Sequence, residues 1–277
     1  MTHHPDQEIS FLLETLKLAG SAIMPFFRRG VASRSKSDES LVTDADLASE
    51  RLITSRIREH FPDDIIFAEE SGVQPVARVP GQRVWVVDPL DGTTNFAHGY
   101  PFFCVSIARG VFDSQGQITV ELGGIIDPIT EKVWWAAKGH GAFVRSRGDQ
   151  APRRLSALEP TPLREAFLVT GFYYFRDEAL ARELGAFQRI SSSAHAVRRD
   201  GSAALDLALV AERIFDGFWE RGLKLWDVAA GALLVEECGG IVRNYATLNT
   251  PFDIEGDGLI AAHPDMVRSL DELIRGE

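Results

Sequence analysis

Apolar residues from position 8 to 28, in EISFLLETLKLAGSAIMPFFR, recur at helical spacing, and those from Asp44 to Phe61 repeat the pattern with polar residues between. The two stretches predict a pair of amphipathic helices. Between them GVASRSKSDES is small, polar and charged, the composition of an exposed loop. The period then shortens. DIIFAEE and RVWVVDP predict short strands, FFCVSIARGVF a longer one, and ITVELGGIIDPITEKVWWAAKG a hairpin turning near Asp127-Pro128. From Leu163 onward strand-like AFLVTGF is followed by helical patterns at 177 to 190, 202 to 213 and 227 to 238. Residues 1–150 are therefore expected to form an α+β half with a largely antiparallel sheet, and residues 151–277 a smaller α/β half. The polar, Gly- and Pro-containing segment from Ser146 to Pro162 is the best boundary between them.

Composition narrows the partners. A chain of 277 residues with 45% hydrophobic content can bury a substantial core. Its formal charge of −11 argues against a general nucleic-acid or membrane-surface binder, each of which needs a basic face. A small anionic substrate stays possible if something local reverses the field. No run of about 18 apolar residues is present, and MTHHPDQEIS lacks the layout of a signal peptide, so a cytoplasmic protein is expected. Cys104 and Cys238 are too far apart in sequence to suggest a framework and read as small core residues. No Walker loop, no GxGxxG after a strand and no HExxH occurs.

The candidate chemistry is acidic. In VWVVDPLDGTTNF, Val84 to Phe96, a buried strand runs directly into Asp88 and Asp91 with Pro89 between them. Two carboxylates held close repel each other unless a cation lies between, and oxygen-only ligands suit a hard cation such as Mg2+. The same residues also fit a strand end and the opening of a turn. Glu69 and Glu70 close the strand IIFAEE, as a solvated strand end or as further ligands. Asp227, in LKLWDVAAGALLVEECGG, fits a helix N-cap equally well. Gly92, Thr93 and Thr94 offer a close backbone approach with hydroxyls, a layout suited to phosphate oxygens. Gly201-Ser202, before the run AALDLALVAER, offers either an anion site or an ordinary helix cap. His98 and His140 read as loop residues.

AEESG, WVVDPLDGTTNF and LWDVAAGALLVEECGG, in this order and at these distances, resemble the inositol monophosphatase family of Mg2+-dependent, lithium-sensitive phosphatases. LVTDAD, GSAALDLALVA and FWERGLKLWD extend the resemblance over roughly Ile9 to Ala262. It implies a layered αβαβα sandwich, usually dimeric. By position it implies that Glu69, Asp88 and the Leu90 carbonyl hold a first Mg2+, that Asp88, Asp91 and Asp227 hold a second, and that a weaker third ion sits chiefly on Glu69. Thr93 then shares a water with Glu69, Asp46 lies near the metal-bound waters, and Gly92 with Thr93 meets the phosphate. Gly201, Ser202, Glu220 and Asp227 fall on the substrate wall, with Lys36, Arg198 and Arg221 as further possibilities; Arg199 and Lys224 add to its basic character. The reaction implied is hydrolysis of a small phosphate monoester, first inositol monophosphate. Histidinol phosphate and fructose 1,6-bisphosphate are the nearest alternatives, and 3′-phosphoadenosine 5′-phosphate ranks last. A phosphatase-like regulatory partner without catalysis is the reading from another class. TGFYYFRDE departs from the form common in bacterial inositol phosphatases, which bears on the substrate and not on the chemistry.

Overall fold

A computed structural model describes residues 5–29, 33–35, 41–73, 76–172, 178–245 and 252–276. The chain opens with helix α1, Pro5–Arg29, which has acids in its first turn and Arg28 and Arg29 in its last, both favourable to the helix dipole. Leu12, Leu16, Ala19 and Ile23 form its buried stripe. By length and hydropathy this helix could cross a membrane, but here the stripe packs on a sheet, while Glu14, Lys17 and Arg28 face outward. The short pair β1, Ser33–Ser35, and β2, Leu41–Thr43, leads into α2, Asp44–His60. A capping box sets the start of α2: Thr43 Oγ1 accepts from Ala45 N at 3.1 Å, and Asp46 Oδ2 accepts from Thr43 N at 2.8 Å.

Seven strands follow. They are β3 Ile65–Ala68, β4 Arg83–Asp91, β5 Cys104–Phe112, β6 Ile118–Asp127, β7 Lys132–Ala137, β8 Gly141–Arg145 and β9 Arg153–Arg154, with the short helix α3, Thr93–Ala97, after β4. They lie in chain order in one sheet, β3 parallel to β4 and every later pair antiparallel. The turn between β6 and β7 falls at 128–131, at the predicted hairpin bend.

The second sheet contains β10 Phe167–Thr170, β11 Ala196–Arg198, β12 Gly217–Glu220, β13 Ile241–Asn244 and β14 Leu259–Ala262. Its order is β11-β10-β12-β14-β13, with a parallel side and an antiparallel side. The helices are α4 Glu178–Ser193, α5 Ala203–Ala211, α6 Leu225–Glu237 and α7 Pro264–Arg275.

Helices α1 and α2 cover one face of the large sheet, α5 and α6 lie between the two sheets, and α4 with α7 covers the outer face of the second. This is the expected αβαβα layering. The middle layer is thin because it is built from small residues. A side chain on Gly123 of β6 would meet the Ala230 backbone of α6 at 2.8 Å, and one on Gly231 would meet Leu207 Cβ of α5 at 2.5 Å. Phe67, Val84 and Val86 of the first sheet share one buried cluster with Leu207, Leu234 and Val242, so the two sequence halves close on a common core. The first sheet itself extends through β9 into the segment read as the boundary.

Candidate active site

The site is built first by an irregularity in β4. Asp88 pairs with Ser106 and Asp91 with Cys104, so three steps along β4 oppose two along β5 and one extra residue bulges out at Pro89-Leu90. Residues three apart on a regular strand face opposite sides; the bulge cancels one alternation, and both aspartates line the same cleft. Proline suits the bulge because it has no N–H to leave unpaired. Asp88, 1% exposed, accepts from Leu90 N at 3.0 Å.

Glu69 reaches the cleft from the end of β3, where its N–H donates to Val87 O at 3.1 Å. Glu50 of α2 holds the same turn by accepting from Glu70 N at 2.8 Å. Asp227 comes from the first turn of α6 and accepts from Lys224 N at 2.7 Å. It sits at N3, with Lys224 in the N-cap position, so the helix begins at Leu225, before the predicted 227. Asp91 Oδ2 accepts from Ser202 Oγ at 2.8 Å and from Ala204 N at 2.7 Å, which places its charge on the first turn of α5.

Four acids in one cleft disturb one another. Burial, then the charges of Glu69, Asp91 and Asp227, push Asp88 well above the usual carboxylate range. Burial likewise raises Asp91 to about 6, with the donors Ser202 and Ala204 holding it down. Asp227 is raised by burial, then by Asp91 and Glu69. Among the described residues, no three His, Cys, Asp or Glu side chains close tightly enough to hold a metal by themselves. Asp88, Asp91 and Asp227 each turn an oxygen to a donor of the protein instead. A buried, mutually repelling, oxygen-only set fits a hard divalent cation, which would remove the repulsion that otherwise requires protons.

The turn after Asp91 completes this wall. Gly92 has φ 89°, and a side chain there would meet Phe102 O at 3.0 Å and Gly201 O at 3.3 Å. Thr93 Oγ1 lies 2.9 Å from Asp46 Oδ1 and 3.0 Å from Leu90 O. Asp46 is fully buried, also accepts from Thr43 Oγ1 at 2.5 Å, and is raised by burial against the lowering effect of these bonds. Asp46 and Thr93, far apart in sequence, thus form one hydrogen-bonded pair at the cleft edge.

The opposite wall contains Gly171, Phe172, Arg199, Gly201, Glu220 and Lys224. Burial, followed by Asp227 and Asp91, raises Glu220 to about 8. Ser202 is buried, and its hydroxyl serves Asp91 and gives no cap bond to α5. Arg198 does not line the cleft: it is exposed and lies over the Phe167 ring, and its neighbour Arg199 takes the place on the wall. Arg221 lines the cleft, but its guanidinium is engaged by Glu183 at 3.0 Å and by Asp257, and lies over the Tyr245 ring. Lys36 lies outside the described residues. His98 caps α3 and His140 is exposed in the turn between β7 and β8.

Asn95 is the residue the pattern missed. Its amide donates to Phe102 O at 2.7 Å and Asp200 O at 2.8 Å, fastening α3 to the loop of the opposite wall. Its position behind GTT, in a turn otherwise explained, was the only signal. The cleft has a volume of about 370 Å3. A larger cavity of about 650 Å3 lies between α1 and the strand turns at Pro128 and Arg147, away from the four carboxylates. The smaller one is the candidate site because charge and backbone converge there.

A sequence profile described as "Inositol monophosphatase family" matches residues 4–275. The chain is 38% identical over 234 residues to an inositol-1-monophosphatase of Synechocystis, covering 84% of this chain and 76% of that one. It is 37% identical over 242 residues to the Nus factor SuhB of Pseudomonas aeruginosa, covering 86% and 85%. The solved inositol monophosphatase of Anabaena superposes with a TM-score of 0.79 at 34% identity, over 98% of this chain and 96% of that one.

Proposed function

The chain belongs to the inositol monophosphatase family, and from that premise we propose that this phosphatase hydrolyses a small phosphate monoester, inositol monophosphate first, with the help of Mg2+. The observation that carries the reading is the convergence of Glu69, Asp88, Asp91 and Asp227 on one cleft beside the Gly92-Thr93 turn.

Glu69, Asp88, the Leu90 carbonyl, Asp91 and Asp227 would hold two to three Mg2+ ions. When bound, Mg2+ supplies positive charge for the phosphate and leaving alkoxide and lowers the pKa of water to the range where it attacks at neutral pH. The protein's own contribution is orientation and proton handling. Asp46 fixes the Thr93 hydroxyl by accepting its hydrogen bond, which leaves a lone pair on Oγ1 for the attacking water; as the water's proton passes to Oγ1, the hydroxyl's own proton passes to Asp46. Glu69, on the same side, orients that water. Asp91, anchored on α5, keeps the two walls at a fixed separation. Glu220 and Gly201 face the alcohol half of the ester.

Release of free phosphate from inositol 1-phosphate, histidinol phosphate and fructose 1,6-bisphosphate, with and without Mg2+, tests the proposal. Mg2+-dependent release is expected, greatest from inositol 1-phosphate, and no release from any ester would overturn it. A second reading, a binding role without turnover, is favoured by the relatives named Nus factor SuhB. Such a role would survive Asp91→Asn, which hydrolysis would not. The homodimer implied by the family is tested by light scattering, where a monomer mass would refute it.

A further inference from the structure

We propose that Gly171 is a specificity-determining residue: its missing side chain leaves the place in which the Glu220 carboxylate lies, and so opens the alcohol side of the cleft to polyol phosphates. The inference rests on the phosphatase reading above and goes on to say what selects the alcohol.

Gly171 follows β10, whose parallel neighbour β12 ends at Glu220, and Thr170 stands opposite Trp219 in the register. Thr170 Oγ1 donates to Trp219 O at 2.6 Å, which fastens the two strand ends side by side. The next residue on each strand is therefore placed beside the other. A Cβ on Gly171 would run into Glu220, and its three nearest atoms would be Cδ and both oxygens of that carboxyl group.

Nothing in the backbone asks for glycine here. Gly171 is not among the glycines with positive φ, unlike Gly92 and Gly201 nearby. Alanine would also lose less conformational freedom on folding, so the glycine costs stability that another residue would retain. What the glycine provides is room.

The room matters because, among the described residues, no bonded partner fixes the Glu220 carboxylate. Among the described residues no hydrogen bond or ion pair holds it; Asp227, Asp91 and Glu183 repel it and Arg199 attracts it, each through charge alone. Its position is set by shape, and the residue lines the cleft, where a ligand hydroxyl would meet it. Since the obstructing group is the far end of a flexible side chain, a methyl group at position 171 displaces the carboxylate into the cleft that both residues line, and leaves the fold intact.

The test compares inositol 1-phosphate with methyl phosphate, which lacks free hydroxyls, in the Mg2+-loaded full-length protein. Gly171→Ala is expected to raise the ratio of the two KM values about tenfold or more, with the ratio of kcat values nearly constant. Glu220→Ala should raise the same ratio, and Gly171→Ala/Glu220→Ala should raise it no further, because the glycine acts through that carboxylate. An unchanged ratio in Gly171→Ala, or effects that multiply in the double variant, would overturn the inference. The double variant lacks the colliding group and should fold with the circular dichroism and Tm of Glu220→Ala; loss of its fold would overturn the inference too. If the wild type hydrolyses methyl phosphate but shows no preference for the hydroxylated ester, this inference fails alone. If it hydrolyses neither, the phosphatase reading fails with it.

Discussion

Replacing Asp91 by Asn separates stability from activity in a way few substitutions would. In the metal-free protein Asp91 is raised from an ordinary 3.8 to about 6, chiefly by burial. An acid whose pKa is higher folded than unfolded destabilises the fold as it ionises. The effect is absent below the unfolded value, grows between about 4 and 6, and is complete above the folded value. At about 1.4 kcal/mol per pH unit, the gap is worth ~3 kcal/mol at pH 8 and about half that at pH 5. Asparagine's single oxygen can keep both bonds that Asp91 Oδ2 accepts, from Ser202 and Ala204, and burying its amide N–H groups returns ~1 kcal/mol or more. The net gain of ~1–2 kcal/mol should raise the Tm by roughly 2–8 °C at pH 8, and less at pH 5. Scanning calorimetry in EDTA at the two pH values measures this. With Mg2+ present, the order should invert, because the wild type gains a ligand and the variant does not, and kcat/KM of the variant should fall ~100-fold or more. A variant with a lower metal-free Tm at pH 8, or with wild-type turnover in Mg2+, would refute the reasoning.

Asp46→Asn should lower kcat ~10–100-fold with little change in KM, since the Thr93 hydroxyl loses its charged acceptor but not its place; steady-state kinetics on inositol 1-phosphate checks the split. Asn95→Ala removes the amide that joins Phe102 O to Asp200 O, and urea titration should show a loss of about 1–3 kcal/mol accompanied by lower turnover. Gly231→Ala inserts a methyl group against Leu207 in the middle layer and should cost about 1–3 kcal/mol by the same titration, with kcat and KM unaltered once folded.

Different physical scales explain what was legible in advance. Helices α1 and α2 and the β6-β7 hairpin follow from periodicity, because each element must bury one face and the pattern records which; the layered order followed only from the family resemblance. The mixed nature of the second sheet was less visible. Strands of four residues such as β12 and β14 bury nearly every position, and a continuous apolar run carries no mark of its partner or direction. The wall residues were legible only in part. Arg198 and Arg199 are chemically alike, adjacent and both exposed, yet only Arg199, just past the end of β11, lines the cleft. Arg221 looked equally free until Glu183 and Asp257, distant in sequence, proved to hold it.

The sequence alone singled out the residue types suited to a ligand: the acids at strand ends and the Gly-Thr-Thr turn. These are local properties, set by side-chain chemistry and by allowed backbone angles. The tertiary structure alone decided how they act together. The bulge at Pro89-Leu90 brings Asp88 and Asp91 to one side, Asp46 crosses from α2 to Thr93, and Gly171 makes a place for Glu220. Each of these depends on distances between segments that the chain order does not contain, because a carboxylate's repulsion, burial and partners are properties of its neighbours in space.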